Sequence, residues 1–210
     1  MNLNYALRFF LVVLLMAVFP AQADDSDSVL TEPRNIFLQA VDGDKRAVRT
    51  AVKRFRSLSL SNPTDPVFLA YYGASITLKG RDAAKSIDKQ SLTEDGLGKI
   101  DRALKLLSDT NHYPSSKRLD TLLVAANSFV HIPSFFNRYE RGKQLLYEIL
   151  EHNDFNEMAV RFKAATYFTA ALITRGDGDD NQYRRFLELT VNTDPQGRNG
   201  HFASALLEEL

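Results

Sequence analysis

The sequence predicts an all-α fold: antiparallel helical pairs stacked as a short solenoid, about eight or nine helices after an N-terminal signal segment. Three observations carry this expectation. Apolar residues recur at three- and four-residue steps through nearly every segment, and none alternates convincingly as a strand. Turn signals built from Asp, Asn, Gly and Pro separate those segments. The second helix of each predicted pair starts near Asp44, Thr93, Asn137 and Asp179, a little over forty residues apart each time, which is the spacing of helical-pair repeats.

The first residues read as an export signal. Arg8 supplies one positive charge, Phe9 to Phe19 is an unbroken apolar run, Pro20 breaks it, and Ala21-Gln22-Ala23 is a small-x-small cleavage site before Asp24. The run is shorter than the roughly 20 apolar residues a membrane span needs. Residues 1–23 are therefore expected to direct export and be removed, with an uncleaved anchor as the alternative. The chain contains no Cys, which excludes lipid acylation, disulfides, thiolate nucleophiles and Cys-ligated zinc. An exported protein without cysteine suits a bacterial periplasm better than a small disulfide-stapled scaffold.

Residues 24–31 are polar and are expected to form a flexible lead-in, and residues 32–210 a single helical domain. A first helix is expected from Glu32-Pro33, with Ile36, Phe37, Ala40 and Val41 on one side, ending at the Asp42-Gly43-Asp44 turn. The second runs from Asp44 to Leu58 with Val48, Ala51, Val52, Phe55 and Leu58 inward. Its outer face carries Lys45, Arg46, Arg49, Lys53, Arg54 and Arg56. The third has Asp65 as N-cap and Pro66 in the first turn, where the missing N–H has no partner to lose. Leu69, Tyr72, Gly73 and Ile76 share its apolar face. Gly73 weakens a helix, and close approach of a second helix is the reason expected for it. The fourth is expected from Thr93, with Leu97, Ile100, Ala103, Leu104 and Leu107 inward, which leaves residues 79–93 as an over-long connection.

Beyond a loop over 109–116, Ser115 or Ser116 is expected to cap a helix ending at Pro133. Another follows from Asn137 to His152. Asn156 is expected to cap a long helix to Thr174, and Asp179 or Asp180 one that stops at Asp194-Pro195. A last helix from Phe202 to Leu210 caps the stack.

Leu69, Tyr72-Gly73 and Ile76, followed by Gly96, Ile100 and Ala103, give the chain a pattern that resembles the tetratricopeptide repeat. Gly142, Leu146 and Ile149 echo the second helix of the next unit, and Leu187, Thr190 and Asp194-Pro195 the end of the one after. The chain departs from the family in its longer repeats, in Ser108 where Pro is usual, and in a first unit that hardly matches. The resemblance implies a right-handed solenoid whose first helices line a groove for a protein or peptide, without catalysis. On that reading Ser75, Lys79, Asn127 and Lys163 are candidate contacts. The long connection reads first as a solvated extension, such as one more helical turn over the solenoid edge; the alternative is a binding lip carrying Arg81, Asp82, Lys85, Asp88 and Lys89.

The chemistry that composition and motifs exclude agrees with a scaffold. Lys+Arg and Asp+Glu are equal at 26 each, so no basic excess points to nucleic acid. The basic face of the second helix reads as solvated surface, with contact to anionic lipid headgroups or an acidic partner as the alternative. His112, His131, His152 and His201 lie far apart, and no HExxH, GxSxG or phosphate loop occurs. His131 and His152 are expected at helix ends. Asp177, Asp179, Asn181 and Glu188 share the spacing of a calcium loop, but Gln182 stands where the turn demands Gly, so a turn and helix cap are preferred there. No cofactor or metal is expected. Phe135, Phe136 and Tyr139 are expected to plug the space between consecutive helices. The alternatives to a scaffold are a small-molecule or metal-binding exported protein, or an enzyme whose groups converge from distant helices.

Overall fold

The structure, a computed structural model, describes residues 25–109 and 113–210. Residues 1–23, expected as an export segment, and His112 lie outside the described residues. The described residues form nine α-helices and no strand: α1 Asp25–Val41, α2 Lys45–Ser61, α3 Pro66–Arg81, α4 Ser86–Asp109, α5 Ser115–His131, α6 Tyr139–Leu150, α7 Val160–Gly176, α8 Asp180–Thr193 and α9 Arg198–Glu208. Short 3₁₀ turns at Ser134–Phe136 and Asn153–Glu157 precede α6 and α7. None of the described helices is long and apolar enough to cross a membrane.

Local chemistry starts several of these helices as expected. Asp44 accepts from the backbone N–H of Arg46 and Ala47 at 2.7 and 3.1 Å and so caps α2. Those bonds hold its carboxyl below the usual carboxylate range. Asp65 caps α3 through the N–H of Val67 at 2.9 Å, and its other oxygen takes the Lys117 ammonium of α5 at 2.7 Å. One side chain thus starts a helix and ties two pairs together. Asp65→Ala is expected to destabilise the fold by roughly 1–2 kcal/mol, the cap plus a half-buried ion pair, read by urea denaturation. Asp179 caps α8 through the N–H of Gln182 at 3.0 Å.

Five boundaries differ from expectation. Helix α1 begins at Asp25, so the lead-in is helical, and Leu30 sits in the core at 4 % exposure. Pro33 lies inside that helix. Helix α4 begins at Ser86, so the long connection shrinks to residues 82–85 and most of 79–93 is extra helical turns on α3 and α4. Thr93 is buried in mid-helix, its hydroxyl donating to the Lys89 carbonyl at 2.7 Å instead of capping a terminus. Asn156 falls in a 3₁₀ turn, and α7 starts at Val160 with no side-chain cap. Helix α5 starts after Pro114, also without one, because the Ser115 hydroxyl bonds Asp154. Helix α9 starts at Arg198, within the stretch expected as loop.

Packing follows chain order. Each helix contacts the next, and each odd-numbered helix from α1 to α7 also contacts the odd-numbered helix after it. Helix α3 has α1, α2, α4 and α5 around it, and it is buried along most of its length. Phe55 of α2 stacks on Tyr71 of α3 with centroids 4.8 Å apart, and Phe37 of α1 meets Tyr71 edge-on at 5.1 Å. These three rings join the first three helices into one core.

Helices α3 and α4 approach each other closely. A Cβ on Gly73 would stand 2.6 Å from the Gly96 carbonyl oxygen, and a Cβ on Gly96 would stand 2.6 Å from that of Gly73. The two helix backbones touch at this notch, as the sequence implies. Gly142 plays the same part between α5 and α6, where a Cβ would meet Val130 at 2.8 Å.

Candidate functional site

An open cleft of about 540 Å³ lies where α2, α3 and α4 meet, within the usual size range of ligand sites. Lys45, Val48 and Arg49 come from the first turns of α2. Lys79 comes from the end of α3, and Asp82, Ala83 and Ala84 from the short connection. Asp88, Ser91 and Leu92 complete it from the first turns of α4.

The sequence builds this edge with three devices. The Asp44 cap fixes where α2 starts. Gly80 lets α4 approach α3, since a Cβ there would stand 2.8 Å from the Thr93 hydroxyl. Arg81 donates to the carbonyls of Ala40 and Val41 at 2.9 and 3.1 Å, closing the end of α1, and its Nε reaches Asp82 at 2.8 Å. Asp82 is thereby neutralised by a fixed partner. Lys45, Arg49 and Lys79 make no hydrogen bond or close ion pair among the described residues. The cleft therefore presents three cations without a direct partner, Arg49 being within the field of the Asp44 carboxylate, and one open carboxylate, Asp88, over walls of Val48, Ala83, Ala84 and Leu92. Such a lining suits an anionic group carried on an apolar stem.

The expected site residues divide accordingly. Lys79 and Asp82 line the cleft. Arg81 supports it, and Lys85 stands exposed beside it on the connection. Ser75 is corrected, and the other two, Asn127 and Lys163, are engaged by neighbouring groups. Ser75 is fully buried and donates to the Tyr71 carbonyl at 2.7 Å. Asn127 is engaged on both sides of its amide, donating to the Leu123 carbonyl at 3.1 Å and accepting from Thr169 at 3.0 Å. Lys163 donates to the Asn156 carbonyl at 3.0 Å and closes the turn before α7. Val48, Ser91 and Leu92 were not expected at a site. Lys45, Arg49 and Asp88 were read separately, on a basic face and on a lip, and the α2–α3–α4 packing brings them together.

A second polar cluster joins α1, α3 and α5. The Arg34 guanidinium of α1 pairs with Asp120 of α5 at 2.5 Å, and the Tyr71 hydroxyl of α3 donates to the same carboxylate at 3.2 Å. Arg34 also lies over the Tyr71 ring at 5.9 Å. Burial, and then the Asp120 carboxylate, push the Tyr71 phenol well above its ordinary value. Three successive pairs are thus tied together where a groove was expected.

The calcium-spaced run is otherwise engaged. Asp177 accepts from Lys143 and, at 3.1 Å, from Tyr139, while Asp179 caps α8. The Lys143 ammonium is the main reason the Asp177 carboxyl lies below its usual range. No group of three or more metal-capable side chains occurs among the described residues. His131 closes the last turn of α5, its Nδ1 2.8 Å from the Asn127 carbonyl oxygen, and His152 accepts the Asp154 N–H at 3.2 Å. Of the aromatic run, Phe136 packs on the core but Phe135 stands 66 % exposed.

Comparison of the chain with protein-family models, curated proteins and solved structures finds no match.

Proposed function

We propose that this chain is a short tetratricopeptide-like solenoid acting as an exported, non-catalytic scaffold that holds a segment of a partner protein. The observation that carries the reading is the cleft at the α2–α3–α4 edge, with cations that lack a direct partner above apolar walls. The packing order supports the architecture: consecutive helices pair, and each odd-numbered helix through α7 leans on the next. In a stack of helical pairs each unit buries its apolar face on its neighbour, which leaves ends and edges for recognition. The partner seat is this edge, since Arg34, Tyr71 and Asp120 join α1, α3 and α5, the helices expected to line a groove.

A photo-crosslinking amino acid placed at Ser91, in the cleft, tests the proposal against the same group at Arg184 on the exposed side of α8. Adducts with a discrete protein from the Ser91 position, absent from the Arg184 position, are the expected result. Equal adducts from both positions, or none from Ser91 in cells producing the protein at native level, would refute it.

A further inference from the structure

Helix α2 concentrates charge in an otherwise balanced chain. Lys45, Arg46, Arg49, Lys53, Arg54 and Arg56 are all exposed, and none of the chain's 26 acidic residues lies within the helix. Like charges four residues apart repel, as Lys45, Arg49 and Lys53 must here, so the arrangement weakens the helix that carries it. Little offsets that repulsion. Asp44, engaged in the cap, attracts Arg46 and Arg49 at the first turns and leaves Lys53 and Arg56 without a carboxylate contact among the described residues. Glu32 reaches Arg54 only at 3.6 Å, with both side chains largely exposed. The stripe Lys45, Arg49, Lys53, Arg56 recurs at helical spacing on one side of α2, and its first two members also line the cleft.

We propose that the basic stripe of α2 and the cleft at its start form one docking site for an acidic protein segment. The segment's carboxylates lie along Lys45, Arg49, Lys53 and Arg56, and an apolar side chain enters the cleft between Val48 and Leu92. The stripe covers about 16 Å of helix axis, the length of about five residues of extended chain. This deepens the scaffold reading and rests on it, because it names the chemistry of the segment held at the same edge. An anionic bilayer would satisfy the stripe, but a flat surface cannot fill a concave cleft holding two of the stripe's own cations. A narrow chain with one apolar anchor satisfies both.

The test is a titration of the purified protein into two fluorescein-labelled peptides, one of alternating Glu and Ser ending in Leu, the other its Lys-for-Glu counterpart. The acidic peptide is expected to bind, with affinity falling as salt rises, and the basic one not to bind. The double variant K45E/R49E is expected to weaken binding at least about tenfold, since charge-assisted contacts are lost and made repulsive. That variant places acids beside Arg46 and Lys53 and relieves repulsion along α2, so its thermal midpoint is expected to be no lower than that of the parent. R184E/R185E on α8, whose packing is with α7 and α9, is expected to leave the affinity unchanged. The proposal is overturned by equal affinity for both peptides, or by K45E/R49E binding like the parent. It is also overturned if phosphatidylglycerol vesicles bind through Lys45 and Arg49 while the acidic peptide does not. If Ser91 crosslinks a partner through a segment without acidic residues, this inference fails and the scaffold reading stands. If the acidic peptide binds and Ser91 captures nothing, the reverse holds.

Discussion

Gly96→Ala is expected to lower the stability of the whole domain by about 2 kcal/mol, and Gly96→Leu to prevent α3 and α4 from packing at all. The reason lies in what a side chain would meet. A Cβ at Gly96 stands 2.6 Å from the Gly73 carbonyl oxygen, 2.7 Å from Cγ2 of Thr77 and 2.9 Å from the Thr77 amide nitrogen. Two of these are backbone atoms in a buried helix, so no rotamer change relieves the clash. Replacing Gly by Ala within a helix normally gains up to about 1 kcal/mol of propensity, and overpacking a core normally costs about 1–3 kcal/mol. Here overpacking wins because two backbones must separate. For a chain of this size the loss corresponds to a fall of roughly 4–8 °C in the melting temperature.

Gly98 supplies the control. It lies on the same helix, exposed, with nothing within 4 Å of a built Cβ, so Gly98→Ala is expected to stabilise by up to about 1 kcal/mol. Thermal denaturation followed by circular dichroism reads both. The double variant G73A/G96A is expected to cost less than the sum of the two single ones, because the helix separation forced by one residue already makes room for the other. Equal melting temperatures for Gly96→Ala and Gly98→Ala would mean that the notch carries no packing constraint.

The same residues show why some of this fold was legible and some was not. The α3–α4 pair could be read because its signals are strong and mutually consistent. Asp65-Pro66 marks a start, Leu69 and Ile76 mark a face, and two glycines sit where only close packing excuses them. The first two turns of α4 were legible only as a solvated extension that could add a helical turn, for the opposite reason. From Ser86 to Leu92 every side chain is exposed or half-buried, so no apolar period exists to be found. Thr93 then imitates a helix start, since a threonine hydroxyl that caps a terminus can equally bond the carbonyl four residues back. The lead-in misled in the same way, because among its described side chains only Leu30 reaches the core.

The candidate site was half-legible. Lys79 and Asp82 follow from the unusual stretch they occupy, and the cations of α2 from their density. That the two share one cleft depends on α2 and α4 both packing against α3, which is a tertiary fact. Ser75 and Asn127 were expected on a groove because first helices line the concave face in the family the chain resembles. In the fold both spend their hydrogen bonds inside it, Ser75 on its own helix and Asn127 also across to α7.

Asp120→Ala is expected to destabilise the fold by about 3 kcal/mol, and Tyr71→Phe by about 1 kcal/mol at neutral pH. Asp120 accepts from both Arg34 and Tyr71, so its loss removes two bonds that join α1, α3 and α5. Breaking a buried ion pair from one side normally costs about 3–5 kcal/mol. The lower end applies because the Arg34 and Asp120 side chains keep 22 % and 12 % exposure, and water screens the charge left behind. Tyr71→Phe removes only a hydroxyl, and its ring keeps the stack on Phe55.

Alkaline pH separates the two roles of Tyr71. In the unfolded chain the phenol ionises near its ordinary value of about 10, whereas in the fold burial and the Asp120 carboxylate hold it protonated well above that. Above that pH the unfolded chain therefore releases a proton that the fold retains, and the stability due to Tyr71 is lost at up to about 1.4 kcal/mol per pH unit. Tyr71→Phe has no such loss. The parent's advantage of about 1 kcal/mol over Tyr71→Phe is expected to hold at pH 8, vanish near pH 11 and then reverse. Urea denaturation of both proteins across that range reads the crossing directly. A gap that stays constant would show that the phenol ionises as readily in the fold as outside it, and that the Arg34–Asp120 pair does not close over Tyr71.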